Sequence, residues 1–386
     1  MKRSYREAVA LFYYWRREYL AVFRDAEVMV FFLLLPIAYP LLYALIYNPE
    51  VVTDVPVVVV DESCTVLSRE IVRKFDATPE AHIVSYCANM DEARTMMMQR
   101  RCYAVLLLPA DMGRALSHGG QATMQFYTDM SLLLNYKSLY MALNEVALDM
   151  DVSVRQQALP IGLSASIVDI AQQPAAYVSV VMYNPTSGVA SFLIPPVLVL
   201  ILQQSLILGI ALLSAVKHER GRGWYASHRI VAQLFGRTLC YISIYIFNTA
   251  YLLHFVPWVF GYPQMGSVIE IFSLALPMTL SSIFMATTLA IWVRERESAY
   301  LLFVFTSVIF IFLSGIAWPR YAMPDVWRYL SYLIPSTWGI EGFVQINTMG
   351  ATLAQASHAY ICLWVLTLFY AITACIAMRY DCMRYR

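Results

Sequence analysis

Few residues in this sequence stand at the spacings that catalysis or nucleotide binding requires. The phosphate-wrapping pattern G-x-x-x-x-G-K-[ST] is absent, and none of the four lysines follows a glycine. The patterns H-E-x-x-H, G-x-S-x-G and paired C-x-x-C are absent as well. The sequence therefore offers no catalytic residues and excludes a phosphate-binding loop of that kind from this chain.

Sulfur-containing residues form the most ligand-like pattern. Three methionines are consecutive at 96–98, and the surrounding stretch holds Cys64, Cys87, Cys102 and the isolated His82 and His118. Thioethers and thiolates suit soft metals, but methionine at helical spacing more often fills a hydrophobic core. We expect core packing and no metal site. Three cysteines give no unique pairing, so one disulfide and free thiols both stay open.

Polar side chains also interrupt two long apolar runs. They are Gln203, Gln204 and Ser205 in one run, and Thr306, Ser307 and Ser314 in the other. An amide left without a hydrogen bond in an apolar environment costs several kcal/mol. These groups must therefore face protein, water or a bound molecule. Hydrogen bonds between helices and contact with a ligand are equally compatible with the pattern.

The composition places these residues in a membrane protein. Of 386 residues, 60% are hydrophobic and 14% are charged, and the mean hydropathy is +0.57. A soluble domain has more charge and a smaller apolar share. The net charge of +1 argues against a nucleic-acid partner, because binding phosphates requires a basic face.

Six runs are long and apolar enough to cross a bilayer as helices, which takes about 20 residues. We predict spans at 28–47, 189–216, 236–260, 268–293, 299–317 and 359–378. Basic residues concentrate in the segment 1–27, the loop 217–235 and the tail 379–386. The positive-inside rule puts these segments and both termini in the cytoplasm. We therefore expect a multi-pass protein of the bacterial inner membrane.

Residues 48–188 form a long insert between the first and second spans. Acidic residues outnumber basic ones here, which fits an extracytoplasmic domain. Short Val-rich or alternating runs at 55–60, 82–85, 103–108 and 122–127 predict strands, and 68–75 and 90–101 predict helices. The predicted fold is a six-helix membrane bundle with an inserted α/β domain. An amphipathic interfacial helix precedes the first span, with aromatic residues three and four apart over 5–27.

An ordered set of motifs resembles the permease subunits of ABC-2 type exporters, in the subgroup with a large extracytoplasmic insert after the first span. The matching stretches are 18–36, 57–68, 107–109, 119–120, Asp129, 183–185, 218–221, 314–315, Pro319, 323–324, 335–337 and Gly350. Residues 222–224 depart from the family's pattern, which has Thr and an acidic residue there. The resemblance implies that 318–358 is an extracytoplasmic re-entrant segment.

The resemblance also implies the partners. A separate ATPase subunit would hold ATP and Mg²⁺, and this chain would carry no cofactor. A second permease copy, identical or related, would complete the assembly within membrane lipids. Docking of a periplasmic adaptor on the long insert is a hypothesis that the sequence leaves open, and nucleic acid is not an expected partner.

Three short charged segments are expected to couple the chain to the ATPase. They contain Arg24 and Asp25 before the first span, Glu219, Arg220 and Gly221 after the second, and Arg294 and Glu295 in the segment 294–297 after the fourth. The alternative for each is a solvated turn whose charges only orient the chain. In the family pattern the first, second and fifth spans line the path, which would place Gln203, Gln204, Ser205, Thr306, Ser307 and Ser314 along it.

The expected function is ATP-driven export of a hydrophobic or amphiphilic molecule, such as a drug, a lipid-like compound or an envelope component. The scarcity of acidic residues in the middle of the spans argues against a proton- or sodium-coupled carrier. The alternative is a receptor or scaffold whose outer domain binds a partner without transport.

Overall fold

The computed structural model describes residues 2–47, 52–117, 123–158, 183–184, 188–219 and 230–384. The chain divides into two compact units. The membrane unit consists of Met1–Asn48 and Val181–Arg386, and the inserted unit is Pro49–Val180.

Six helices of the described membrane unit are long and apolar enough to cross a bilayer. They are α2 (Ala26–Ile46), α7 (Val189–Glu219), α8 (Ile230–Val259), α9 (Val268–Trp292), α10 (Arg296–Leu313) and α13 (Ser357–Met383). Helix α8 begins before the predicted 236 and carries Arg237 buried inside it. Helix α10 ends before the predicted 317, since Gly315 adopts a left-handed φ of +88°.

The N-terminal helix α1 (Lys2–Arg24) packs along α8. The two backbones approach closely at Gly236, where an added Cβ would lie 2.8 Å from the Leu11 carbonyl oxygen. The opposite face exposes Val9, Phe12, Tyr13, Tyr19, Leu20 and Phe23. The predicted helix ran to residue 27, but Asp25 is extended and caps α2 by accepting from the Val28 N–H.

Helix α7 forms the centre of the membrane unit. Residues 194–216 of this helix are all buried, because apolar residues cover every face and other helices surround it. Helices α2, α9 and α10 pack on it directly. Two of the spans contain a π-helical turn just before a proline: Val30–Leu34 precedes Pro36, and Tyr251–Phe255 precedes Pro257.

The segment between α10 and α13 contains a 3₁₀ turn (Arg320–Ala322) and the short helices α11 (Asp325–Ser331) and α12 (Pro335–Phe343). Helix α12 is buried against α7, α9 and α13. A π-helical turn (Val344–Thr348) follows it. Two short helices therefore occupy the stretch that was expected to be re-entrant.

The inserted unit is an α/β domain. Its strands are β1 (Val55–Asp61), β2 (Ala81–Tyr86), β3 (Ala104–Leu108) and β4 (Gln125–Thr128). Its helices are α3 (Val66–Asp76), α4 (Met90–Met98), α5 (Met112–Ser117) and α6 (Leu133–Ala158). The sheet order is β2-β1-β3-β4, with β1 parallel to β2 and β3, and β4 antiparallel to β3.

Strand β1 supplies valines to both faces of this sheet. Val55, Val57 and Val59 enter one core with residues of α3 and α6. Val58 and Val60 enter a smaller core with α4. Burial on both sides explains why β1 is a continuous apolar run. The predicted fold class, a six-helix membrane protein with an inserted α/β domain, is confirmed.

Candidate coupling site

A buried charged cluster fixes α1 to α7 and α8. The Glu18 carboxylate, 2% exposed, accepts from Lys217 Nζ at 2.6 Å and from the Tyr241 hydroxyl at 2.5 Å. Arg237 Nε lies 3.4 Å from the same carboxylate. Burial raises the pKa of Glu18, but Lys217 and Arg237 outweigh it and lower that pKa to about 2. The carboxylate is therefore ionised at neutral pH.

This cluster resists separation of its three helices. Removing one member of a buried ion pair is strongly destabilising, because the remaining charge has lost both water and its partner. Any motion of α1 must consequently carry the attached ends of α7 and α8 with it. The contact of Glu18 with Lys217 and Arg237 was not predicted from the sequence. Arg237 inside an apolar run could have indicated it, because a buried arginine requires an acidic partner.

A second cluster forms around Arg296, the first residue of α10. Its Nη2 lies 3.1 Å from Asp25 Oδ2, its Nε lies 3.2 Å from Glu219 Oε2, and its Nη1 bonds to Glu27. Asp25 caps the start of α2, and Glu219 ends α7. A planar guanidinium with several fixed donors can hold several carboxylates at once. Arg296 therefore joins the ends of three membrane helices.

A hydrogen bond from a side chain to a backbone carbonyl ties the end of α7 near the Arg296 cluster to α9. The Ser214 hydroxyl of α7 donates to the Ala290 carbonyl at 2.9 Å, where α9 changes to a 3₁₀ turn. A buried carbonyl at a helix end needs such a donor. The connection between α9 and α10 is thereby fixed to α7 on one side and, through Arg296, to α2 on the other.

The predicted coupling residues are brought together only in part. Asp25 and Glu219 meet through Arg296, whereas Arg24, Arg294 and Glu295 lie on the exposed surface. Arg220 and Gly221 lie outside the described residues. The sequence could not show which arginine of the short connection points inward. That choice depends on where α10 begins.

The polar residues of α7 lie against other helices of the same chain. Gln203 Oε1 accepts from the Ser336 N–H at 2.6 Å, at the start of α12. Gln204 Oε1 accepts from the Thr306 hydroxyl at 3.3 Å. The Ser205 hydroxyl accepts from Tyr245 at 2.9 Å. These bonds correspond to the inter-helix alternative of the sequence analysis.

Two polar side chains of the fifth span bond within their own chain segment. Ser307 donates to the Val304 carbonyl at 2.9 Å, and Ser314 donates to the Ile311 carbonyl at 2.7 Å. Such bonds satisfy a hydroxyl inside an apolar helix without a ligand. The amide nitrogens of Gln203 and Gln204 are different: both are buried and have no hydrogen-bond partner among the described residues.

No group of three or more His, Cys, Asp or Glu side chains in the described part of the chain could hold a metal ion. The two charged clusters attach helices to one another through ion pairs and charge-assisted hydrogen bonds.

Comparison with known proteins identifies the family. The sequence profile of the ABC-2 family transporter protein matches residues 27–376, from the start of α2 into α13. No curated protein matches the chain. The matched region includes all or most of each of the six membrane helices, the inserted unit, and Glu27, Glu219 and Arg296 of the Arg296 cluster. The chain therefore belongs to the ABC-2 transporter family, as the permease-type membrane component.

Proposed function

We propose that this chain is the permease subunit of an ATP-driven exporter and that a separate ATPase subunit moves it through its charged helix ends. The observation that carries the proposal is the bonding of Arg296 to Asp25, Glu27 and Glu219. One guanidinium thus links the ends of α2, α7 and α10. A displacement of any of these ends reaches the other two helices.

The buried Glu18 cluster supports the same mechanism from a second direction. Helix α1 exposes an apolar face and is held to α7 and α8 by ionic bonds. An interfacial helix with this pattern moves along the membrane surface together with its attached spans. In the proposed cycle, ATPase closure displaces α1 and the neighbouring charged segments together. In the proposed arrangement both termini lie on the cytoplasmic side of the bacterial inner membrane.

Two of the spans offer a surface for a second permease copy, identical or related. Both α2 and α10 are largely unburied within this chain. Their exposed apolar side chains include Leu34, Leu41, Leu42, Leu45 and Ile46 in α2, and Leu301, Val304, Phe305, Val308, Ile309 and Phe312 in α10. We place the partner permease on these faces and membrane lipids on the remaining ones.

The proposed cargo is hydrophobic or amphiphilic and passes between the two permeases. Gln203 and Gln204 each keep a buried amide nitrogen without a partner among the described residues. Separation of α7 from α10 would also release the bond between Gln204 and Thr306. In the open state these donors, with Ser205, Ser307 and Ser314, are proposed to border the path.

The test is co-expression with an ATPase encoded beside this chain. We expect the two proteins to co-elute and ATP hydrolysis in proteoliposomes to require the permease. Arg296→Ala should reduce this permease-dependent rate by about tenfold, in proportion to the loss of a charge-assisted bond. The control is Arg328→Ala, since Arg328 pairs only with Asp325 of its own short helix among the ion pairs described.

Two outcomes would contradict the proposal. If no ATPase co-elutes with the chain and its inserted unit binds a partner regardless of Arg296, the chain is a receptor or scaffold. Equal rates for Arg296→Ala and Arg328→Ala would keep the exporter assignment but would remove Arg296 from the coupling.

A further inference from the structure

The smaller core of the inserted unit is rich in sulfur. It contains Val58, Val60, Cys87, Ala93, Cys102 and Val105, bordered by Met90, Met96, Met97 and Leu107. We call this group the sulfur core. Half of its members are cysteine or methionine. The larger core on the other face of the sheet has a composition dominated by Val, Leu, Ile and Ala.

Two sulfur atoms of this core are in direct contact. Cys87 follows β2, and its N–H donates to the Val59 carbonyl at 2.9 Å, which fixes the position of the thiol. Cys87 Sγ lies 3.6 Å from Sδ of Met96, which belongs to the last turn of α4. The Ser85 hydroxyl also lies 3.6 Å from this thioether sulfur. Rigid elements, a strand end and a helix, therefore hold both donors.

The distance between the two sulfurs suits a shared metal ion. With metal–sulfur bonds of about 2.3 Å, a separation of 3.6 Å corresponds to a sulfur–metal–sulfur angle of about 100°. This angle lies near the values of three- and four-coordinate sites, so the side chains need little movement. A third sulfur is available on the same helix, where Met90 and Met97 border the core.

The net charge of the buried complex limits how many thiolates can bind the metal ion. A thiol binds a metal ion as a thiolate, so each cysteine that takes part must give up its proton. A monovalent cation with one thiolate and neutral thioethers makes a neutral complex, whereas a second thiolate would leave a buried negative charge. Binding therefore releases one proton, from Cys87 to solvent, and Cys102 keeps its own.

We propose that the sulfur core binds one soft monovalent cation, Cu(I) or Ag(I), through Cys87 Sγ and Met96 Sδ, with a thioether of α4 as the third ligand. Thioether ligands select soft ions over Zn²⁺, Mg²⁺ and Ca²⁺. Access is open, since β2 is an edge strand and Met96 and Met97 are half-buried. This site is independent of the proposed transport function.

The experiment titrates purified full-length chain in detergent with Ag⁺ under argon, in a Cys64→Ser background. That background removes the exposed thiol of the inserted unit. Because Cys362, Cys375 and Cys382 are free and partly exposed, we expect one more tightly bound Ag⁺ per chain in this background than in the same background with Cys87→Ser, with a coordination shell of sulfur by X-ray absorption. Competition with bathocuproine disulfonate measures Cu(I) affinity on the same samples.

Matched variants separate the site from nonspecific sulfur binding. Met96→Leu conserves side-chain volume and should weaken binding by about tenfold or more, as should Cys87→Ser. Met98→Leu is the control, because Met98 is 78% exposed on the same helix and should bind Ag⁺ like the parent. Thermal unfolding of each variant verifies that the domain is folded.

The proposal is overturned if folded Met96→Leu binds as tightly as Met98→Leu, or if nitrogen or oxygen ligands dominate the absorption spectrum. Loss of ATPase stimulation in the same preparations would concern the export mechanism alone and would leave this result unchanged.

Discussion

Asn248 Nδ2 donates to the Phe32 carbonyl oxygen at 2.8 Å, across the contact between α8 and α2. Pro36 has no N–H, so the donor that an α-helix would supply to this carbonyl is missing. The side chain of one span thus replaces a backbone donor of another. Both residues are fully buried, and the bond explains how the first span accommodates Pro36.

Asn248→Leu should lower the stability of the membrane unit by about 1–3 kcal/mol, because a buried carbonyl loses its donor. The measurement is the thermal unfolding midpoint in one detergent. Tyr251→Phe is the matched control: it removes the hydroxyl bond to the Ile37 carbonyl at 3.2 Å in the same pair of helices. Its effect should be smaller, since that tyrosine is only half-buried. A midpoint for Asn248→Leu at or above that of the parent would contradict this account.

Gly209→Ala should destabilise the packing of α2 on α7. An added Cβ would lie 2.4 Å from the Phe32 ring. That ring stacks on Tyr241 and meets Tyr245 edge-on, so it has no free direction for movement. Overpacking of this kind costs about 1–3 kcal/mol.

A double-mutant cycle tests the cause of that loss. Phe32→Leu creates room beside residue 209, so the double variant should be more stable than the sum of the single effects predicts. Strict additivity of the two unfolding midpoints would show that the clash is relieved elsewhere.

Glu18→Gln should change both stability and its pH dependence. Lys217 and Arg237 lower the pKa of Glu18 from 4.5 to about 2 against the opposing effect of burial. A lowered folded-state pKa gives stability that is fully present above pH 4.5 and is lost as the pH falls towards 2. The variant should unfold at a lower temperature at pH 7, and its midpoint should fall less than the parent's on acidification.

Glu295→Gln serves as the control for this pH series, because Glu295 is exposed and belongs to neither cluster. Its unfolding profile should follow that of the parent chain. An acid-induced loss of equal size in parent and Glu18→Gln would mean that other carboxylates dominate below pH 4.5.

The fold could be predicted from the sequence because its determinants are local. Apolar runs give the spans, and the alternation around Val55–Asp61 and its neighbours gives the sheet. One helix bound deviated because a charged residue lies inside the helix. The predicted span begins at 236, beside the charged Arg237, whereas the helix begins at Ile230. The buried Glu18 carboxylate, which lies 3.4 Å from Arg237 Nε, allows the helix to include this arginine.

The site was less predictable because its contacts join residues far apart in sequence. Within the predicted segment 294–297, Arg294 and Glu295 were singled out, whereas the structure directs Arg296 of the same segment towards Asp25 and Glu219. A shift of two residues along a helix start changes the direction of a side chain by more than half a turn. Similarly, the partner of Gln203 is the Ser336 N–H, which no spacing in the sequence indicates.

Arg296→Lys tests whether geometry or charge underlies the proposed coupling. Lysine keeps the positive charge but has a single ammonium in place of a planar fork. It cannot reach Asp25, Glu27 and Glu219 with the three separate nitrogens that arginine uses. We expect permease-dependent ATP hydrolysis between that of the parent and that of Arg296→Ala, with membrane insertion unchanged. A fully active Arg296→Lys would show that a positive charge at this position is sufficient for coupling. The three helix ends would then not need to be joined by one rigid group.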